Sequence, residues 1–436
     1  MVRYAAVSEL WILFHTFKCR KVRAIDELFK IYGPVVRISS NTVAFLDSDP
    51  EQRTTCLVYN ALKLDKGPLY DAVHMNGHLH SVAIIEHHVH AKYRRIFSSH
   101  YSPGNISLLH PEVKASAQVF VRYLDYGALE AWSKDDIILK AIEDYGRLIL
   151  LSGILPKWLM SIVSHFPNER WQVFCISGDT LFTIIGRMVH NMQTQKDAGT
   201  LDEREKPTLV QRFFAHNDSC ALEDKLSFED MASESMTHLL AGVDASAVVF
   251  SYILWQFANQ PPEVQKRIQA ELDTAMPDPM VVPDLKVLQD ALFKEGMRLH
   301  GPIPTFLERR SPRGGPLDLL GFKVPPRTVI GTQSWSMHRN EAIFENPEVF
   351  DVFRWLDPNK PQDAMLQALN PYGLGTRICI GQHLSRAANK TTLAAVLRNF
   401  DIAPCEKTDS QSMEMMELFG MFPVGLSCHL NFNPRV

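Results

Sequence analysis

Pro371-Tyr372-Gly373-Leu374-Gly375-Thr376-Arg377-Ile378-Cys379-Ile380-Gly381 holds one cysteine in a loop with three glycines, just ahead of an apolar-periodic stretch. Glycine permits backbone conformations that other residues resist, and it lets a flat partner approach the main chain. Leu384 to Phe400 reads as a helix, so the Cys379 sulfur is expected at a helix N-terminus. There the dipole, equivalent to roughly +0.5 charge, favours a thiolate. Arg377 adds a fixed positive charge two residues upstream. Read from its residues, the loop is either a tight structural turn or a mount that offers sulfur to a ligand.

Upstream, Glu295-Gly296-Met297-Arg298 places two charges at i, i+3 on a predicted helix, among Ala291, Leu292, Phe293 and Leu299. Alone, such a pair reads as a surface pair. In this apolar setting both charges would be largely desolvated, and breaking a buried pair costs roughly 3–5 kcal/mol. Further upstream the pattern predicts a long helix from Phe228 to Asn259. Ser227 with Asp230 forms a capping-box-like start, and Pro261-Pro262 stops it. Its middle reads Leu239-Leu240-Ala241-Gly242-Val243-Asp244-Ala245-Ser246. Gly242 lowers helix stability by about 1 kcal/mol against alanine, and an unpaired buried Asp244 would cost more. Such local violations often mark function, although an ordinary surface turn of a helix reads the same way in isolation.

Together these segments resemble the cytochrome P-450 heme-thiolate monooxygenases. The family's heme loop follows F-x-x-G-x-R-x-C-x-G. Gly375, Arg377, Cys379 and Gly381 match in register, and Tyr372 replaces the phenylalanine with another aromatic ring. The resemblance runs from about Ile31 to the C-terminus. It implies a mainly α fold with a small β region, with heme b between the long central helix and the cysteine loop. It further implies that Cys379 is the axial ligand of the heme iron and that Arg377 pairs with a propionate. Tyr372, Gly373 and Gly381 would line the cofactor. Glu295 and Arg298, with Arg354, would form a structural clamp beneath the loop.

His90-Ala91-Lys92-Tyr93-Arg94 resembles the helix whose first and last residues touch propionates, so His90 and Arg94 join the cofactor set; alone, it reads as a basic helix face in solvent. Arg309 falls where a strand arginine reaches the other propionate, with Arg310 next to it as the off-by-one alternative. His338-Arg339-Asn340 resembles a structural stretch. The long helix resembles the A-G-x-D/E-T-T segment, so Gly242 would leave room for dioxygen and Asp244 would relay protons. Here the chain departs from the pattern. Ala245 stands where an alcohol is usual, and Ser246 lies about 100° further round the helix. Water, Ser246 or a substrate hydroxyl would have to substitute. By the same resemblance, substrate contacts are expected around Val73 to Val89, Gly242, Ala245, Ile303 to Leu307 and Phe419 to Phe422.

The 436 residues are 46% hydrophobic and 22% charged with net charge −4, a balance that suits a globular protein with a large core and gives no reason to expect nucleic acid. Seven cysteines, with no C-x-x-C pair, suggest thiols in a reducing compartment. Length alone would suggest two or three domains, but no linker or repeat interrupts the chain, and the resemblance implies a single catalytic domain over 25–436 behind a leader over 1–24. Tyr4 to Phe17 is apolar but shorter than the ~20 residues of a membrane span, and a basic cluster follows it. It reads as a leader at a membrane surface or as a packed helix, with a full membrane anchor as the alternative; the expected location is the cytosolic face of the endoplasmic reticulum membrane, or the cytoplasm if the short segment does not anchor. Leu148 to Val163, interrupted by Pro156, reads as a membrane or substrate-entry contact or as a buried helix–turn–helix.

Two segments look shortened against the family: the approach to Glu295, and the region from about Val119 to Asp136. No flavin or nicotinamide fingerprint is present. The resemblance implies insertion of one oxygen atom from O2 into an apolar organic substrate, and without such a fingerprint the electrons would come from NADPH through a separate reductase. The motif style resembles filamentous-fungal members that decorate secondary metabolites. Ala245 motivates an alternative, a reductase-independent heme-thiolate isomerase or dehydratase. The shortened segments motivate another, a truncated heme protein with impaired activity.

Overall fold

Ser227 and Asp230 open the long helix by exchanging bonds. The Asp230 amide donates to Ser227 Oγ at 3.0 Å, and the Ser227 amide donates to Asp230 Oδ2 at 3.4 Å. The helix runs Phe228–Ala258 and ends before Pro261, as expected, and Pro262 begins the next helix, Pro262–Ala275. The computed structural model describes residues 8–435 except 48, 50, 74–76, 126–136, 156, 203–205, 280, 282–286 and 419. Phe419 and most of the region expected to be shortened after Val119 thus lie outside the described residues.

The described chain divides into two compact units. The first comprises 1–64, 109–131 and 245–436. Its largest core gathers one face of each of five helices: Ala117 and Val121 of His110–Asp125, Ile253 and Phe257 of the long helix, Ile268 and Leu272 of Pro262–Ala275, Leu292 and Met297 of Val287–His300, and Leu393 and Val396 of Gln382–Asn399. Burial at about 25 cal/mol per Å2 of apolar surface drives this convergence. One crossing is especially close. A Cβ on Gly296 would lie 2.2 Å from Ile253 Cγ1, so only a glycine lets the helix Val287–His300 approach there.

The β region of this unit is small. One sheet has four strands in the order Val35–Ser39, Thr42–Phe45, Val329–Gly331, Arg309–Arg310. The first pair is antiparallel, the second parallel with Thr42 opposite Val329, and the third antiparallel. Tyr59 locks the last two strands to a neighbouring turn. Its hydroxyl donates to the Leu307 carbonyl at 2.5 Å and accepts the Thr332 amide at 2.8 Å. The N-terminal helix Leu10–Phe17 lays Trp11 and Ile12 on the core of this end and leaves Leu10, Phe14 and Phe17 exposed.

The second unit comprises 65–108 and 132–244. Its helices Ile137–Ile154 and Ser177–Asp197 cross at Gly178, where a Cβ would lie 2.6 Å from the Tyr145 ring. Arg170 clasps the buried Asp144 through two bonds of 2.7 and 2.6 Å. Leu148 to Val163 falls on two helices, Ile137–Ile154 and Lys157–Val163, but the second is not buried as the helix–turn–helix alternative had it, since Trp158 stands 66% exposed. Among the described residues, one helical stretch is long and apolar enough to cross a membrane, Leu222–Ala258. It contains the fully buried Glu234, Tyr252 and Phe257, as the core helix of a folded domain does.

Gly296→Ala gains about 1 kcal/mol of helix propensity but forces overpacking worth about 1–3 kcal/mol against Ile253. The expected outcome is a lower thermal midpoint. Adding Ile253→Ala should cost less in the Gly296→Ala background than alone, because the pair shares one contact.

Candidate active site

Glu295 is fully buried, and both of its oxygens are saturated. Arg298 donates to it twice, from Nε at 3.0 Å and Nη2 at 2.8 Å. Arg354 Nε adds a bond of 3.1 Å, Trp355 Nε1 one of 2.9 Å, and the Asp351 amide one of 3.0 Å. Arg298 spends its remaining protons on the carbonyls of His338, Pro347 and Val349. A charge is tolerated in the interior only when every lone pair and proton is met, and here they are. The expected pairing of Glu295, Arg298 and Arg354 thus forms. Trp355 and Asp351 complete it, and neither was foreseen.

His338 carries this brace toward the cysteine loop. Its Nδ1 donates to the Arg298 carbonyl at 2.9 Å, and its Nε2 accepts the Asn370 amide at 3.0 Å. That geometry requires the neutral ring with its proton on Nδ1. Burial, then the charges of Arg298 and Arg339, push the ring from 6.5 down to about 3. Asn370 in turn accepts the Gly373 amide through its carbonyl at 3.0 Å. Arg339 packs over the Trp335 ring at 3.6 Å and donates to the Leu299 carbonyl. The expectation that this stretch is structural agrees with these contacts.

The loop beyond Asn370 folds back on itself. The Cys379 amide donates to the Tyr372 carbonyl at 2.8 Å, and Gly375–Arg377 makes one 3-10 turn. Gly375 requires its glycine on two counts: φ is +64°, and a Cβ would meet the Tyr59 carbonyl oxygen at 2.0 Å. Tyr372 is fixed by Ser385 at 3.2 Å and by the Arg386 guanidinium over its ring. A Cβ on Gly381 would come within 3.9 Å of Cys379 Sγ. The helix begins at Gln382, with Gly381 as its N-cap, so Cys379 precedes the first turn rather than lying in it. Cys379 is exposed. Among the residues expected to bind carboxylates, Arg309 is buried over the Tyr59 ring, whereas Arg310 is exposed; burial thus separates the two candidates.

The other candidates lie on two helices. His90 and Arg94 share the helix His87–Arg95, with His90 buried. Gly242 has nothing within 4 Å of where a Cβ would stand. Asp244 faces Gly146, whose Cβ would lie 3.7 Å from Asp244 Oδ2. Burial, then the nearby Glu143 carboxylate, raise its pKa from 3.8 to about 6. Ala245 and Ser246 come next on the same helix, both half-buried.

The chemistry of this donor set suits an iron porphyrin: a thiol for the metal, cationic side chains for two carboxylates, and glycines where a flat macrocycle needs room. Among the described residues no cluster of three His, Cys, Asp or Glu side chains could hold a separate metal ion.

Comparison with known proteins agrees. The family model for cytochrome P450 matches residues 131–428. The chain is similar to the cytochrome P450 monooxygenase cypX of Dothistroma septosporum, 24% identical over 97% of this chain and 87% of that protein. It is similar to cytochrome P450 monooxygenase stcB of Emericella nidulans, 23% identical over 91% and 80%. It is also similar to tryprostatin B 6-hydroxylase of Aspergillus fumigatus, 23% identical over 91% and 73%.

The brace has two measurable consequences. Glu295→Ala should cost about 3–5 kcal/mol and appear as lost heme retention, with turnover per retained heme less affected. Normal heme content with lost turnover would contradict the brace. Second, the unfolded chain protonates His338 near pH 6.5, whereas the folded ring stays neutral until about pH 3. Its contribution is therefore intact above pH 6.5 and falls as pH drops through that window. Thermal midpoints measured from pH 7 to 4 should decline, and His338→Gln, which keeps a donor and an acceptor but cannot titrate, should flatten part of the slope.

Proposed function

The chain belongs to the cytochrome P450 family, a family of heme-thiolate monooxygenases, and from that premise we propose that it inserts one oxygen atom from O2 into an apolar organic small molecule as a tailoring step of fungal secondary metabolism. The observation that carries this reading is an exposed Cys379 on a loop whose backbone is pinned from behind through Asn370 and His338 to a saturated buried carboxylate. The organisms of the three relatives and the hydroxylase named among them support the finer reading. Residues 25–436 would act as one catalytic domain, with electrons from NADPH through a separate reductase. The exposed Trp158 and the exposed apolar face of Leu10–Phe17 support peripheral contact with a membrane, at the cytosolic face of the endoplasmic reticulum.

When bound, a heme-thiolate centre supplies oxygen activation, and the thiolate's electron push favours O–O cleavage. The chain's own residues would hold it. Cys379 would ligate the iron, while Arg377, Arg309, His90 and Arg94 would meet the propionates. Tyr372, Gly373 and Gly381 would line the ring. Gly242 leaves open space on the long helix for a small reactant. Asp244, poised near pH 6, holds a proton on its carboxyl at mildly acidic pH and releases it at neutral pH, as a relay group must. A methyl group at Ala245 has no proton to pass on. Ser246, water or a hydroxyl on the native substrate completes the path.

A relay through Asp244 gives a defined result. Asp244→Asn should slow turnover by about 100-fold and remove an inflection near pH 6 from the rate profile. Ala245→Thr should raise the ratio of product to NADPH consumed with generic substrates. If that ratio stays fixed in Ala245→Thr and collapses in Ser246→Ala, the path runs through Ser246 instead.

A further inference from the structure

Glu234 is a second fully buried carboxylate, and the proposed reaction does not use it. It lies on the long helix, two turns before Gly242. Its partners come from the segment after residue 76 and from its own helix. The Ser81 amide donates to Oε2 at 2.7 Å, and the Ser81 hydroxyl donates to Oε1 at 2.6 Å. His238, one turn on, donates from Nε2 to Oε1 at 2.8 Å, and its Nδ1 faces the Tyr101 hydroxyl at 2.5 Å. Phe97 presents an edge to the same imidazole at 5.1 Å. Burial pushes the Glu234 carboxyl up, but the bonds from His238 and Ser81 outweigh it and hold the group below its usual value. The carboxylate is therefore charged and satisfied.

The segment it grips lacks helix or strand from 79 to 86, so no ladder fixes its backbone. Other ties shape the segment locally: His80 Nε2 meets the Val73 carbonyl, Lys66 Nζ meets the Val82 carbonyl, and the Lys66 amide meets the Ile85 carbonyl. The bonds from Ser81 to Glu234 join it to the long helix. Shortly after Ser81 come Ala83 and Ile84, both buried. Any shift at Ser81 displaces them.

We propose that Glu234 is a positioning residue for substrate selection. Through Ser81 it sets the place of the 79–84 segment relative to the long helix, with His238 and Tyr101 holding the carboxylate in its working orientation. This rests on the monooxygenase reading above and on the expectation, carried by the family resemblance, that substrate contacts lie around Val73 to Val89. The segment acts as a wall and not as a chemical group, so the effect should scale with ligand size.

The test compares two probes on the heme-loaded protein. Imidazole reports access to iron alone, and ketoconazole, a bulky azole, reports the wall. Glu234→Gln places an amide NH2 against donors, and should weaken ketoconazole by about ten-fold in a Soret titration while imidazole stays within about two-fold of wild type. Ser81→Ala, which leaves the carboxylate in place, should show a smaller shift of the same kind. Amide hydrogen exchange, read without any ligand, should speed up at 79–84 in both variants and not in the Gln382–Asn399 helix. Equal weakening of both azoles, or unchanged exchange at 79–84, would overturn the proposal. A wild type that gives no Soret response to imidazole, with exchange at 79–84 still faster in both variants, would fail the heme reading and leave the positioning intact.

Discussion

One buried carboxylate sets the geometry of the first unit. Glu295 cannot be ionised in a dry interior unless donors surround it, and the chain brings those donors from two places, its own helix and the turn at Asp351–Trp355, while Arg298 donates its other protons to peptide carbonyls. Meeting that requirement fixes where 338, 347 and 349 must lie. His338 then passes the position on to Asn370, and Asn370 to the start of the cysteine loop. The loop needs this support. Glycines at 373 and 375, both with positive φ, give it unusual turns but no rigidity of their own. Packing beneath Gly375 by Tyr59, itself tied to two strands, supplies the rest.

Much of this was legible in the chain. The cysteine loop, the Glu295–Arg298 spacing and the cap at Ser227 are local patterns, and local patterns survive in a single sequence. Arg354 was reachable through resemblance. Trp355 and the Asp351 amide were not, because bonds across 60 and 56 residues leave no periodic trace. The close approach at Gly296 was hidden in the same way, since a glycine in a helix reads as a cost until its neighbour is known. Glu234 and His238 were a missed signal. Two ionisable residues at i, i+4 in an apolar helix break the same rule that drew notice to Asp244. Their partners Ser81 and Tyr101 lie 153 and 137 residues away and could not be read.

Ala245 separates this chain from the common pattern of its family. Asp244, the proposed relay acid, is half-buried and raised to about 6 by burial and by Glu143. The next side chain, however, is a bare methyl group. A native substrate that carries its own hydroxyl would restore the missing donor, and selection by the wall that Glu234 positions would then matter to coupling as well as to binding. The rival isomerase or dehydratase reading needs no such path and is not favoured by the named relatives, which are monooxygenases or a hydroxylase.

The central claim is that Cys379 alone supplies a thiolate to heme iron. The most direct measurement is the reduced carbon-monoxide difference spectrum of wild type, of Cys379→His, and of variants at Cys19, Cys56, Cys175, Cys220, Cys405 and Cys428. Histidine lacks the electron push of a thiolate. The far-red-shifted Soret band should therefore appear in wild type and in each of the other cysteine variants, and vanish in Cys379→His. A Cys379→His protein that keeps the band, or a wild type that loads heme and never shows it, would contradict the claim.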